Sequence, residues 1–339
     1  MTWVRFCILI FVIGGCQVGL YAQAFQEHTD NDLESMVSEK FIQESLLHFV
    51  NLPHPMGSSE QKAYSVFLEK RFQKLGMHVS VQPFEDFTPR KSSQKNDRDI
   101  RGQNRQEVTS GHNVIAVRRG VPTCGILIGG HYDTKYFQQF RFVGANDGGS
   151  STALILELAR IAGSAEMMKQ IKHKFDAETW KECTLIFTLF DGEEAVLAEW
   201  EDGERLFGKP DHLYGSRYFA RNLKRGEGVW LFNGIPIKLA LIFDMIGHKN
   251  QSLSMTRGSD RNVMNQFLSV SGTTKLSAAT FELEDDHSPL AAIGIPFVHV
   301  IDWDNIQEWH TKDDNMSIVS AKKIAEFTRV ILRFLQLKR

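Results

Sequence analysis

In the stretch "LFDGEEAVLAEW" an apolar run ends on two adjacent glutamates, Glu193 and Glu194. Neighbouring carboxylates repel, so a strand that closes on a pair of them needs a compensating charge. His131 and Asp133 follow "GILIGG", Asp147 ends the loop "FVGAND" ahead of a helix, and Asp244 closes "LALIF". "EDDH", which includes Asp285 and His287, precedes the run "IPFVHVI", and His310 follows that run in "WHTKDDN". Singly, each has an ordinary structural reading: an Asp before a helix is commonly a cap, and a lone His is usually a satisfied core or surface residue. Collected at one end of one sheet, they form the carboxylate and imidazole set that suits catalytic zinc with one position open. No cysteine cluster competes for that role. Successive side chains diverge at a strand end. One glutamate can therefore bind the ion while its neighbour faces the reacting atoms, and the cation offsets their repulsion.

The elements that must position these groups follow from periodicity. Apolar runs "HNVIAVRR", "GILIGGHYD", "CTLIFTLFDGEE", "IKLALIFDMIG" and "IPFVHVID" read as strands, several of them continuously apolar, as when both sheet faces are covered. Between and after them, "GGSSTALILELARIAG", "GSRYFARNL", "NVMNQFLSVS" and "SIVSAKKIAEFTRVILRFLQ" read as helices. Two further helices and the alternating strand "HVSVQPFE" come earlier, with Ser38 and Ser58 as helix starts and Gly76 as a stop. Strands alternating with helices predict an α/β fold, a three-layer α/β/α sandwich around a mixed, mainly parallel sheet. Ligands bind such sheets beyond the carboxyl ends of the strands, which is where the charged residues fall.

The chain has 339 residues, 42% of them hydrophobic, and a net charge of -2. That balance gives no ground for a nucleic-acid partner. Residues 1–24 read as a secretory signal, because the apolar run Phe6 to Cys16 is too short to span a bilayer. "AQA" at Ala22 to Ala24 offers cleavage and soluble export; "IGGC" offers a lipid anchor at Cys16. Residues 25–339 read as one catalytic domain with an exposed, charge-dense excursion near 88–111. Cys124 and Cys183 each open a predicted strand; neighbouring strands would permit a disulfide, and two separate buried thiols fit equally. Asn250 and Asn315 match the glycosylation pattern. His299 reads as a core histidine or as one that supports the site from behind its ligands, His287 as one that orients a carboxylate, and Asp313 and Asp314 as caps or loop anchors.

The order of "GGHYDTKYF", "VGAND", "FDGEEA…W…LYGSR", "IFDMIG", "EDDHSPL", "GIP" and "EWHTKDDN" resembles the glutaminyl-peptide cyclotransferases, relatives of the secreted zinc aminopeptidases. The resemblance runs from about Asn113 to the C-terminus. It implies a zinc-exopeptidase-like fold and one Zn2+ on Asp147, Glu194 and His310. It implies that Glu193 is the general acid/base, with Asp244 and Asp285 as a hydrogen-bonded carboxylate pair beside it. His131, Trp200 and Trp309 would border the substrate. Here the tryptophan aligned with Trp200 falls one residue further from the glutamate pair, and the insertion "EDGERLFGKPD" is longer and more charged than the family's. The implied substrates are peptides with N-terminal glutamine, closed to pyroglutamate with loss of ammonia. The competing reading is a secreted di-zinc aminopeptidase, since His131 and Asp244 could hold a second zinc. A non-catalytic binding ectodomain ranks lower because the implied ligands are all present.

Overall fold

Four apolar runs form the parallel centre of the sheet in a computed structural model, which describes residues 31–89, 106–171 and 176–339. The signal segment and Cys16 lie outside those residues. The ten strands among them are β1 (His78–Pro89), β2 (Gln106–Arg118), β3 (Val121–His131), β4 (Cys183–Phe190), β5 (Lys224–Gly226), β6 (Val229–Phe232), β7 (Ile235–Asp244), β8 (Leu253–Met255), β9 (Leu276–Ala278) and β10 (Phe297–Ile301). The main sheet runs β1-β2-β4-β3-β7-β10-β8-β9, with β6 pairing onto β7 and β5 onto β6. β4, β3, β7 and β10 are mutually parallel, and β1, β2 and β8 meet their inner neighbours antiparallel.

Every residue of β4 is buried, because helices cover both faces. Period-two alternation divides the strands between two cores. Ile126, Ile128, Leu185, Phe187, Leu241 and Phe243 face the core shared with the helices Glu39–Phe49, Gly149–Ala162 and Ala321–Gln336. Leu127, Ile186, Phe190 and Ile242 face the core shared with Tyr214–Asn222 and Ser288–Ala292. Ser38 and Ser58 cap their helices as the sequence suggests, accepting from the backbone N–H of Phe41 and Gln61. Gly76 is left-handed at φ 80 where its helix stops.

The flanks of the polar excursion differ from the expectation. Thr88 and Pro89 pair with Glu107 and Gln106 in the β1–β2 hairpin, and Thr88 and Thr109 are buried with their hydroxyls 2.6 Å apart. Alternation in "FEDFTP" and "QEVTSG" carries the strands further than their charge suggests; residues 90–105 lie outside the described residues. Cys124 and Cys183 form a disulfide where β3 and β4 begin, with Cα atoms 4.8 Å apart.

Candidate active site

The parallel register brings the strand ends level. His131 pairs with Phe190, three residues before Glu193, and Ile301 pairs with Asp244. Asp147 arrives on the loop before the helix Gly149–Ala162. Gly148 lets that loop close: its φ is 76, and a Cβ there would lie 2.9 Å from His131 Cε1. His310 itself has φ 56, a backbone cost that a functional position commonly carries.

Asp147, Glu194 and His310 converge so that one ligand atom from each lies within 4.8 Å of the others. His310 Nε2 is 3.2 Å from Glu194 Oε2 and 3.5 Å from Asp147 Oδ2. Asp147 Oδ2 and both Glu194 oxygens are buried without a hydrogen bond. Burying unpaired carboxylate oxygens is costly, and a divalent cation would satisfy them. The residues present therefore fit such an ion. Asp147 has a second face: its Oδ1 is 3.1 Å from His131 Nε2, which is 3.2 Å from Asp244 Oδ1. His131, Asp147 and Asp244 thus make an adjoining cluster of ligand-type atoms.

Around these groups a shell fixes orientation. Asp133 Oδ1 and Oδ2 accept from the backbone N–H groups of Glu193 (3.0 Å) and Glu194 (3.3 Å). Asp314 accepts from the N–H groups of Asn146 (2.7 Å) and Asp147 (3.1 Å). It therefore ties the His310 loop to the Asp147 loop, the anchoring role expected of it. Burial pushes the Asp314 carboxyl up to about 7. Glu193 is held well above the usual carboxylate range by burial, reinforced by Asp285 and Glu194 against the opposing pull of His131. Burial works against Glu194, but His310, Lys135 and His131 together outweigh it and draw that carboxyl down to about 2. Adjacent glutamates are thereby pushed apart, one toward proton exchange and one toward permanent charge.

Asp244 and Asp285 both line the same cleft as Glu193, but the hydrogen bond expected between them is not formed among the described residues. Asp244 faces His131, and Asp285 Oδ2 sits 2.9 Å from His299 Nε2. Opposite-charge pairing is the cheaper arrangement for two buried carboxylates. His287 stacks on His299 at 4.3 Å and shares a cluster with the Asp285 carboxylate. The cleft encloses about 350 Å³ and is walled by Trp200, Trp303 and Trp309. Trp309 stacks on His310 at 4.0 Å, with Trp303 edge-on at 5.7 Å. Trp200 stacks on His212 at 3.9 Å and donates to Glu284 Oε2 at 3.2 Å. Trp200 therefore reaches the cleft despite its shifted position in the sequence. The sequence placed Asp133 only among the strand-end carboxylates, not as the acceptor that orients the glutamate pair, and assigned no role to Trp303.

The sheet order and the superpositions below define a zinc-exopeptidase-like α/β fold. The chain belongs to peptidase family M28, whose profile matches residues 113–335. It is 24% identical over 311 residues to the glutaminyl-peptide cyclotransferase of Drosophila melanogaster, an alignment covering 84% of this chain and 77% of that one. It spans 60 to 64% of the length of further relatives of the same name. Among solved structures it superposes on a Macrostomum lignano glutaminyl cyclase with TM-score 0.70, at 20% identity over 91% of each chain. An aminopeptidase from Aneurinibacillus sp. strain AM-1 matches with TM-score 0.67, at 17% identity over 92% of this chain and 97% of that one.

Proposed function

We propose that this chain is a zinc-dependent glutaminyl-peptide cyclotransferase, an acyltransferase acting on peptides with N-terminal glutamine. The observation that carries the reading is the cluster of buried Asp147 and Glu194 with half-buried His310, its carboxylate oxygens unsatisfied, beside a Glu193 poised for proton transfer. Two carboxylates and one imidazole suit zinc with an open position. Bound there, the ion supplies Lewis-acid polarisation of the substrate amide.

Glu193 accepts a proton from the substrate's α-amine as that amine attacks the glutamine side-chain carbonyl. It then returns a proton to the departing nitrogen, so ammonia leaves and a five-membered lactam remains. Amine and amide belong to one molecule, so the cleft's task is to hold the side chain folded. Trp200, Trp303 and Trp309 support that task by enclosing the folded side chain and displacing water that would give glutamate instead. Asp244 and Asp285, each beside a histidine, hold the charge around Glu193.

One observation favours a second reading: Asp147 also belongs to the His131 and Asp244 cluster, and two ions there would suit a secreted aminopeptidase. The protein loaded with zinc is assayed on glutaminyl and leucyl peptides, with metal counted per chain. Pyroglutamate and ammonia at one ion per chain support the cyclase. Free leucine without pyroglutamate, at two ions per chain, overturns it. Export, directed by residues 1–24 or by a lipid anchor at Cys16, belongs to the same proposal. Among the described residues no helix is long and apolar enough to cross a membrane.

A further inference from the structure

Lys135 is buried at the edge of the carboxylate cluster, beside Glu194, and the chemistry above makes no use of it. Its side chain is 2% exposed and its Nζ lies 3.8 Å from Glu194 Oε2, too far for a hydrogen bond. Its donors go instead to two backbone carbonyls, Ala195 O at 2.7 Å and Leu197 O at 3.1 Å. Those carbonyls belong to the irregular stretch between Glu194 and Trp200. The Leu197 N–H is held from the other side by Asp211 Oδ2 at 2.7 Å, and Asp211 in turn accepts from the Tyr214 hydroxyl at 2.6 Å. Leu197 is thus gripped through both its N–H and its carbonyl by buried side chains from two separate segments. Lys135 comes from the segment after β3 and Asp211 from the far end of the insertion. A buried ammonium is retained only where it is well satisfied, and charge-assisted bonds to carbonyls are stronger than neutral ones.

We infer that Lys135 is a positioning residue: it fixes the segment that starts at the metal ligand Glu194 and ends at the substrate-facing wall of Trp200. Lys135 is not among the residues that line the cleft, so it acts through that segment. The same grip accounts for Trp200 lining the cleft although the insertion around it is long and charged. The inference rests on the cyclase reading, since a glutaminyl peptide is what Trp200 would face.

The test compares wild type, Lys135→Met and Lys135→Arg, each zinc-loaded, on a glutaminyl peptide. Metal content and thermal midpoint are measured alongside. Lys135→Met keeps its ion but raises KM about tenfold with kcat within about threefold. Lys135→Arg, still able to donate to both carbonyls, recovers most of that loss. Loss of zinc from Lys135→Met, or a fall in its kcat at unchanged KM, overturns the inference. If Lys135→Met does not fold, Lys135→Arg decides alone: a KM within threefold of wild type supports it, and a tenfold rise overturns it. Wild type that makes no pyroglutamate overturns the cyclase reading itself, and this inference with it.

Discussion

Replacing Glu193 with glutamine keeps the size of the side chain and its backbone hydrogen bond to Asp133 Oδ1. It removes the one carboxylate that burial, Asp285 and Glu194 together hold well above its ordinary range. General acid–base catalysis contributes roughly 10² to 10⁴-fold, so kcat for a glutaminyl peptide should fall by that factor, about 3–5 kcal/mol of barrier. KM should stay within about threefold, because the cleft walls are untouched. Zinc content should also hold, because Glu194 rather than Glu193 lies against His310. Removing a charge that two neighbouring carboxylates repel should leave the thermal midpoint level or slightly raised. The assay is pyroglutamate by mass spectrometry, with zinc and thermal midpoint measured on the same preparation. A kcat within about fivefold of wild type refutes the acid–base role. Loss of the ion with the activity would make Glu193 a ligand and exchange the two glutamates' assignments.

Further predictions concern the ion, the pH response and the covalent tie. Glu194→Gln and His310→Ala should each lose most bound zinc while retaining the far-ultraviolet spectrum of the fold; full occupancy in both would remove the proposed ligand set. Activity should climb from pH 5 to about 8, since the substrate amine titrates near ~8 and Glu193 serves as a base only above its raised pKa; a flat kcat/KM over that range contradicts both. Burial opposes the ionisation of Asp285, but His299, with help from His287 and His131, overcomes it and draws the carboxyl down to about 2. Its stabilisation is therefore full above the unfolded value near ~4 and is lost as pH falls from there toward 2. Asp285→Asn should flatten the acid limb of the melting curve in that window. The disulfide closes a sequence separation of 59, worth up to about 4 kcal/mol by loop entropy. Reduction or Cys124→Ala with Cys183→Ala should lower the thermal midpoint, and an unchanged midpoint would show the tie to be neutral.

The parallel centre was legible because β3, β4, β7 and β10 are apolar runs that stop abruptly at chemistry-bearing residues. Pattern and punctuation agree there. The β5–β6 and β6–β7 hairpins went unread, although their turns are written in the sequence. Glu227–Gly228 and Asn233–Gly234 all have positive φ, the backbone of two-residue hairpins, and Asn-Gly is its strongest signal. β8 and β9, at three residues each, are too short for periodicity to detect. Ligand-type residues could be read from strand ends, because position alone brings them together. Partnerships could not: sequence does not say that Asp285 prefers His299 to Asp244, or that Lys135 turns its amine to carbonyls, since both depend on how loops fold over the sheet.

Cys124 and Cys183 fasten β3 and β4 at their beginnings, and the same strands deliver His131 and the glutamate pair roughly 20 Å further along. A slip of one residue between those strands would turn every side chain on the moving strand to the opposite face. The bond resists that slip from a distance, so the alignment of the strand-end groups is protected by a covalent tie at the opposite end of the sheet. A chain made where thiols stay reduced must find the same alignment by packing alone.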